Sequence, residues 1–237
     1  MPNARVLPVP VRAWPIMSVP WIAIGIETTT RRTFASALDW PGWCRSGRDE
    51  AAALAALAAA ADRYARVARG AGLAFAPGGP ADLAIAERLP GTATTAFGAP
   101  DAVFALDGRA TDLPGAQRLG ALVRAAWDEL DRVVGLAPAA LRRGPRGGGR
   151  DRDAIVAHVV GAEQAYARRI GLRLPGFDPD AGGSIVALRA AIVETLAHAS
   201  DGGPIPGGRW PARYAARRIA WHALDHAWEI EERSGPA

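Results

Sequence analysis

Short apolar runs separated by turn residues predict β-strands in the first third of the chain. These runs cover residues 19–26, 33–38, 43–45 and 83–89. Between the third and fourth runs, an alanine-rich stretch begins at Ser46 or Asp49, extends to about Arg69 and predicts a helix. The predicted order of this module, residues 1–100, is therefore β-β-β-α-β.

The second half of the chain has helical periodicity instead, with apolar residues at steps of three and four. Helices are predicted over residues 114–133, 151–170, 184–196 and 211–233. Ser184 is the predicted N-cap of the third helix, and Pro211 suits the first turn of the fourth. Residues 101–113 lack periodicity and predict a linker. The predicted fold class is thus an α+β module followed by an all-α four-helix bundle at residues 114–237.

The composition excludes several classes of protein and site. Apolar residues make up 49% of the chain and charged residues 22%, as in an ordinary globular protein. No uninterrupted apolar stretch reaches the roughly 18 residues of a transmembrane helix. Pro15 and Pro20 interrupt the apolar run at residues 15–26, which disfavours a signal peptide and makes the cytoplasm the expected location. Cys44 is the single cysteine, so neither an intrachain disulfide nor a cysteine-based zinc site is expected.

The basic residues are unusual in kind, because all 28 of them are arginine. Arginine does not titrate in this range, so the high isoelectric point is a weak sign of nucleic-acid binding. Arg146 and Arg150 lie in a glycine-rich loop before the second helix of the bundle, where such a loop can bind an anion. They are candidates for holding a carboxylate of a small ligand, and a solvated loop is the alternative. No aromatic residue interleaves these arginines, which argues against nucleic acid.

Two of the four histidines, His222 and His226, are spaced i, i+4 on the fourth predicted helix. This spacing puts both imidazoles on one face, one turn apart. Ile219 and Ile230 continue the same stripe, so the pair is predicted to face the interior. His198 falls near the end of the third helix, where a cation favours the helix dipole.

A third histidine extends this pattern to a second helix. His158 lies in the series Ile155, His158, Ala162 and Ala165, which predicts another inward position. Three imidazoles in one interior are costly unless something satisfies their nitrogen atoms. A divalent metal ion does so, and the alternative is a set of hydrogen-bonded core histidines. His158, His222 and His226 are therefore the candidate metal ligands.

Three imidazole ligands leave at least one coordination position open, as in catalytic rather than structural sites. Zn²⁺ is the expected ion, and Ni²⁺ and Fe²⁺ suit the same ligands. A water or thiol in the open position would lose its proton more readily. Glu229, three residues after His226, is the candidate catalytic carboxylate, either as a base or by orienting an imidazole. Asp225 and Glu163 lie off this face, and an ordinary surface role is the alternative for all three acids.

Two segments resemble the DinB-like metal-binding bundle superfamily. They are HVVGAEQAYARRIG at residues 158–171 and RRIAWHALDHAWEIEERSG at residues 217–235. That superfamily pairs one histidine on its second helix with HxxxH on its fourth, which here are His158, His222 and His226. It includes mycothiol- and bacillithiol-dependent transferases and a maleylpyruvate isomerase. The resemblance implies a metal-dependent thiol S-transferase, or a related hydrolase or isomerase. Its partners would be a low-molecular-weight thiol such as mycothiol and an electrophilic substrate.

The first module resembles the HicB-like α/β module in the segment FASALDWPGWCRSGRDEAAALAALAAAADRY, residues 34–64. The matching features are a strand, a Pro-Gly turn and a helix opened by acidic residues. No toxin partner or DNA-binding extension accompanies it, so an antitoxin role does not follow. The competing hypothesis is a non-catalytic, metal-stabilised bundle whose α/β module mediates homodimerisation or partner binding.

Overall fold

Four strands form one sheet in the order β3-β2-β1-β4 within the computed structural model, which describes residues 21–77, 79–143 and 149–235. The strands are β1 (Ile22–Thr28), β2 (Thr33–Ala37), β3 (Cys44–Gly47) and β4 (Leu83–Pro90). β2 pairs antiparallel with both β1 and β3, whereas β4 runs parallel to β1. The predicted strands are confirmed. Residues 15–20 lie outside the described residues; they include the predicted start of the first strand and the first part of the apolar run at residues 15–26 that was compared with a signal peptide.

Two helices occupy the stretch for which the sequence predicts one. α1 (Glu50–Ala59) begins after Asp49, whose side chain accepts a hydrogen bond of 2.8 Å from the backbone N–H of Ala52. α2 (Ala61–Gly70) follows a break at Ala60 and contacts the long helix α4 (Leu113–Leu136), whereas α1 contacts the sheet. The single continuous helix was therefore a wrong prediction. Alanine favours helix on either side of the break and carries no signal for the change of direction.

Both faces of the sheet are covered, which explains why every residue of β2 is buried. Ala35 and Ala37 belong to the same apolar cluster as Leu57 of α1. On the opposite face of β2, Phe34 packs against Trp221 of the last helix, with ring centroids 6.1 Å apart. Alternate residues of one strand therefore meet different elements, and the sheet is an internal layer of the molecule.

Residues 101–113, the predicted linker, form an irregular segment that is packed against the rest of the chain. A 3-10 helix at Ala105–Gly108 is preceded by Phe104, whose ring fills the space where Gly25 of β1 has no side chain. Asp107 is buried and forms a salt bridge with Arg217. This segment follows a short helix that the sequence does not predict, α3 (Ala93–Phe97), and joins the sheet to the last helix.

Four long helices make up the second half. With α4, they are α5 (Arg152–Arg169), α6 (Gly182–Leu196) and α7 (Ala212–Ser234). α4 contacts α6 and α7, and α5 contacts the same two helices, so the four pack around one interior. α6 begins before the predicted N-cap Ser184, which instead accepts a hydrogen bond from the backbone of Asp178. None of the described helices is long and apolar enough to span a membrane.

The sheet and the helices share one apolar core, so the observed class is α+β with a small sheet followed by helices. Trp43 of the sheet region, Tyr64 of α2 and Trp228 of α7 all belong to the same buried cluster. Trp43 stacks on Tyr64 with ring centroids 5.8 Å apart. The α+β class predicted from the sequence is confirmed, and the first module is packed directly on the helix that carries two of the histidines.

Candidate metal centre

His158, His222 and His226, which we call the histidine centre, converge between α5 and α7. The Nε2 atoms of His158 and His222 are 3.3 Å apart. The ring centroid of His226 is 4.7 Å from that of His222 and 5.1 Å from that of His158. One ligand atom from each residue can be chosen so that all three lie within 4.8 Å of one another. The convergence predicted from helix spacing is therefore present in the fold.

The three histidines differ in burial. On α7, Ile219 and Ile230 are fully buried, and His222 between them has only 7% of its surface exposed, as the stripe predicts. His226 is partly buried, but His158 is exposed. The inward position predicted for His158 was wrong, because only Ile155 of its predicted series is buried, and α5 turns Val159 and Ala167 to the core instead. The centre consequently lies at the edge of the helical interior and is open on the His158 side.

The electrostatic surroundings favour neutral imidazoles. Burial and the two neighbouring imidazoles lower the pKa of His222 to about 2. Partial burial also lowers the pKa of His158, and the neighbouring His226 imidazole and Arg150 guanidinium lower it further. A neutral imidazole keeps a nitrogen lone pair for coordination, whereas a protonated one has none. The site therefore stabilises the protonation state that a metal ligand requires.

Glu229 fixes the orientation of His226. The Nδ1 of His226 is 2.9 Å from Oε2 of Glu229, and the other carboxylate oxygen accepts a hydrogen bond of 2.8 Å from Arg233. The hydrogen bond from His226, together with the Arg233 guanidinium, holds the pKa of Glu229 below its usual range. Because an ionised carboxylate has no hydrogen to donate, Nδ1 of His226 is the donor in this contact, and Nε2 is the nitrogen left for coordination.

Gly149, just before α5, lies against the side chain of Arg233. Gly149 has a φ of +130°, and a Cβ at this position would come within 2.6 Å of the Arg233 guanidinium. Arg233 also donates a hydrogen bond of 2.7 Å to the backbone carbonyl of Arg142. The glycine therefore allows the loop to approach Arg233, and through it Glu229 and His226, closely.

The donor set fits a divalent ion in the separation of two of its nitrogen atoms. In tetrahedral geometry with Zn–N bonds of about 2.0–2.1 Å, two ligand nitrogens are separated by about 3.3 Å. The 3.3 Å between Nε2 of His158 and Nε2 of His222 matches this separation. The three ligand atoms all lie within 4.8 Å of one another, which exceeds the roughly 4.2 Å that two such bonds span end to end, so the third imidazole must move toward the ion. Nδ1 of His222 is buried without a hydrogen-bond partner among the described residues, and an ion held at Nε2 would not supply one.

The remaining candidates from the sequence fall in different places. Arg150 is exposed, and its charge reaches His158. Arg146 lies outside the described residues. Asp225 forms a salt bridge of 3.5 Å with Arg45, away from the imidazoles. Glu163, for which a surface role was the favoured alternative, is in fact buried and paired with Arg189 of α6 at 3.1 Å. His198 lies apart from the centre, with Nδ1 2.7 Å from the carbonyl oxygen of Glu194.

Two residues near the centre escaped the sequence interpretation. Arg233 follows Glu229 at i+4 and continues the face of His226, a spacing that could have suggested its ion pair. The ring centroid of Tyr166 is 5.7 Å from that of His222, and Tyr166 lies about two turns after His158 on α5. The helix periodicity could have indicated it, because i+8 lies close to the same face.

Comparison of the chain with protein families, with curated proteins and with solved structures finds no match. The two family resemblances accordingly stay predictions that rest on the segments quoted for them.

Proposed function

We propose that this protein binds one divalent metal ion through His158, His222 and His226. The observation that carries the proposal is the convergence of three imidazoles from two helices, with the 3.3 Å nitrogen separation that a tetrahedral ion requires. The lowered pKa of His222, which keeps its imidazole neutral, supports the same conclusion. Zn²⁺ is the first choice for these ligands, and Ni²⁺ and Fe²⁺ are alternatives.

The proposed activity is transfer of a low-molecular-weight thiol to an electrophilic substrate, as the resemblance to DinB-like transferases implies. A divalent ion with an open coordination position lowers the pKa of a thiol. Exposure of His158 supports this activity, because it leaves one side of the centre accessible to a small molecule. Arg150 beside His158 is the candidate for holding a carboxylate of the thiol.

In this proposal Glu229 is a positioning residue. Both of its carboxylate oxygens are already engaged, one with His226 and one with Arg233. Of the two roles left open by the sequence, base or orienting group, these contacts support the second. Cys44, the single cysteine, is buried at the start of β3, and burial raises the pKa of its thiol to about 12, so it supplies no nucleophile.

Elemental analysis of the purified full-length protein tests the metal site. We expect about one divalent ion per chain, lost in His222→Ala and retained in His198→Ala, a matched histidine outside the centre. Equal metal content in the two variants would overturn the proposal. Metal-loaded protein incubated with several thiols and an electrophile then tests the activity. Metal without thiol conjugation would instead support the non-catalytic, metal-stabilised protein.

A further inference from the structure

An open cavity of about 560 Å³ lies beside the histidine centre, and none of the roles assigned above uses it. It is bounded by β3, by the C-terminal half of α7 and by the segment that follows α4. Charged side chains make up its whole lining: Arg45, Arg142, Arg143, Asp225, Glu229, Glu232 and Arg233. The volume falls in the range typical of sites for small molecules.

The carboxylates of this cavity are already neutralised. Each of the three is held by a guanidinium group at 3.5 Å or less. These salt bridges are Asp225 with Arg45, Glu229 with Arg233, and Glu232 with Arg63 of α2, which lies outside the lining. The three acids therefore do not compensate the other two arginines of the lining.

Arg142 and Arg143 are those two arginines, and no salt bridge links either of them to a carboxylate of the described residues. Arg142 is held in place by its backbone N–H, which donates to the carbonyl of Arg233, and by Nη2, which donates to the carbonyl of Glu232. These bonds use neutral acceptors and leave its positive charge unmatched. Arg143 is exposed at the edge of the same cavity. Two neighbouring guanidinium groups with spare donors are suited to a carboxylate or a phosphate.

We propose that this cavity binds the anionic group, a carboxylate or a phosphate, of a small-molecule substrate. Glu229 forms part of its wall and is one hydrogen bond from His226, so a molecule anchored here lies beside the histidine centre. The inference rests on the proposed function and names the class of substrate that the same site would take. It also assigns a role to the first module, because Arg45 of β3 supplies one wall and neutralises Asp225.

Binding of inorganic phosphate, of succinate and of neutral succinamide, followed by isothermal titration calorimetry on the full-length protein, tests the proposal. We expect phosphate or succinate to bind and succinamide not to bind. Arg143→Ala should weaken that binding about tenfold, since one charge-assisted hydrogen bond is lost. Arg143→Lys should recover part of the loss. Arg173→Ala is the matched control, because Arg173 lines a different cavity with Arg168.

Each outcome of the titrations either supports or overturns the proposed anion site. Phosphate binding alone identifies a phosphate-bearing substrate, and succinate binding alone a carboxylate. Equal binding of succinamide, or an affinity that Arg143→Ala leaves unchanged, would overturn the proposal. The titration is repeated on chelator-treated protein, because the cavity does not require the metal. Anion binding without metal content would thus refute the metal centre alone, and metal content without anion binding would refute only the cavity.

Discussion

Arg217 and His222, two buried polar residues of α7, lie five residues apart and differ in the hydrogen-bond partners that the chain provides. Arg217 donates to both carboxylate oxygens of Asp107, at 2.9 and 2.5 Å, and to the carbonyl of Ala102 at 3.3 Å. We call these residues the ionic cluster. His222, with the same exposed fraction of 7%, lies against the rings of His158, His226, Tyr166 and Trp221 and has one nitrogen without a partner among the described residues.

This difference distinguishes a structural polar cluster from a candidate binding site. Buried polar groups are stable when they are paired, and the ionic cluster obtains all its partners from the chain itself. The histidine centre is satisfied only in part: Nε2 of His222 lies 3.3 Å from Nε2 of His158, and Nδ1 of His226 is bonded to Glu229, but Nδ1 of His222 has no partner among the described residues. The convergence of three imidazole ligand atoms, with no carboxylate of the described residues paired to His158 or His222, is what supports the proposal of a ligand at this centre.

The largest expected effect is on the ionic cluster. Arg217→Ala would leave the Asp107 carboxylate buried without its counter-ion, and breaking a buried pair in this way costs about 3–5 kcal/mol. Urea denaturation should show this loss in the free energy of unfolding. Arg109→Ala is the control, an exposed arginine two residues after Asp107, and should change stability by less than about 0.5 kcal/mol. Similar losses in both variants would mean that the pairing of Arg217 does not matter.

Removal of the metal should have the next largest effect. Ligand bound at about 100 times its dissociation constant stabilises the folded state by about 2.7 kcal/mol, so a chelator should lower the free energy of unfolding by that order. In His158→Ala the chelator should have no effect. His158 is exposed, so this variant should fold normally and report on coordination alone. A chelator effect that persists in His158→Ala would exclude this residue as a ligand.

Glu229→Gln should weaken metal binding without abolishing it. Loss of a carboxylate that orients a ligating histidine typically lowers metal affinity about 10- to 100-fold. Competition with a chromophoric chelator measures this change. Glu232→Gln is the matched control on the same helix, because Glu232 pairs with Arg63 and does not contact an imidazole. Equal affinities for the two variants would show that Glu229 does not act on His226.

The contacts of the histidine centre and those of the ionic cluster were also unequally predictable from the sequence. The i, i+4 spacing of His222 and His226 and the i+3 spacing of Glu229 are local, and helix geometry converts them directly into contacts. The ionic cluster joins residues 110 positions apart, from an irregular segment without periodicity, so no local pattern indicates it. The exposure of His158 was predictable only in part. Helix periodicity shows which residues share a face of α5, but not which face is turned toward α7.

The same distinction applies to the fold as a whole. Turn residues and apolar runs marked all four strands, because each signal lies within a few residues of the strand. The coverage of both faces of the sheet was not foreseen. It depends on Phe104 reaching Gly25 and on Trp221 reaching Phe34, contacts set by the packing of distant elements. The break at Ala60 likewise follows from which partner each half of the stretch meets.

The smallest expected effect concerns Cys44, which lines a small buried cavity with Arg217 and Trp221, against the ionic cluster. Burial raises the pKa of its thiol from 9.0 to about 12. In the unfolded chain the thiol ionises above pH 9, whereas in the folded state it stays protonated. Stability is therefore highest below pH 9 and falls as the pH rises toward 12, by roughly 1 kcal/mol at about pH 9.5.

The absence of lysine makes this effect measurable. Because all 28 basic residues are arginine, which does not titrate below pH 12, Cys44 and the three tyrosines dominate side-chain titration between pH 8.5 and 10. Unfolding free energies at pH 8 and about pH 9.5 should differ less in Cys44→Ala than in the unaltered protein. Burial also raises the pKa of Tyr64, Tyr166 and Tyr214, so a smaller loss should persist in the variant. An unchanged pH dependence in Cys44→Ala would mean that the thiol is accessible to solvent, and the region around the ionic cluster would then be less closed than its hydrogen bonds indicate.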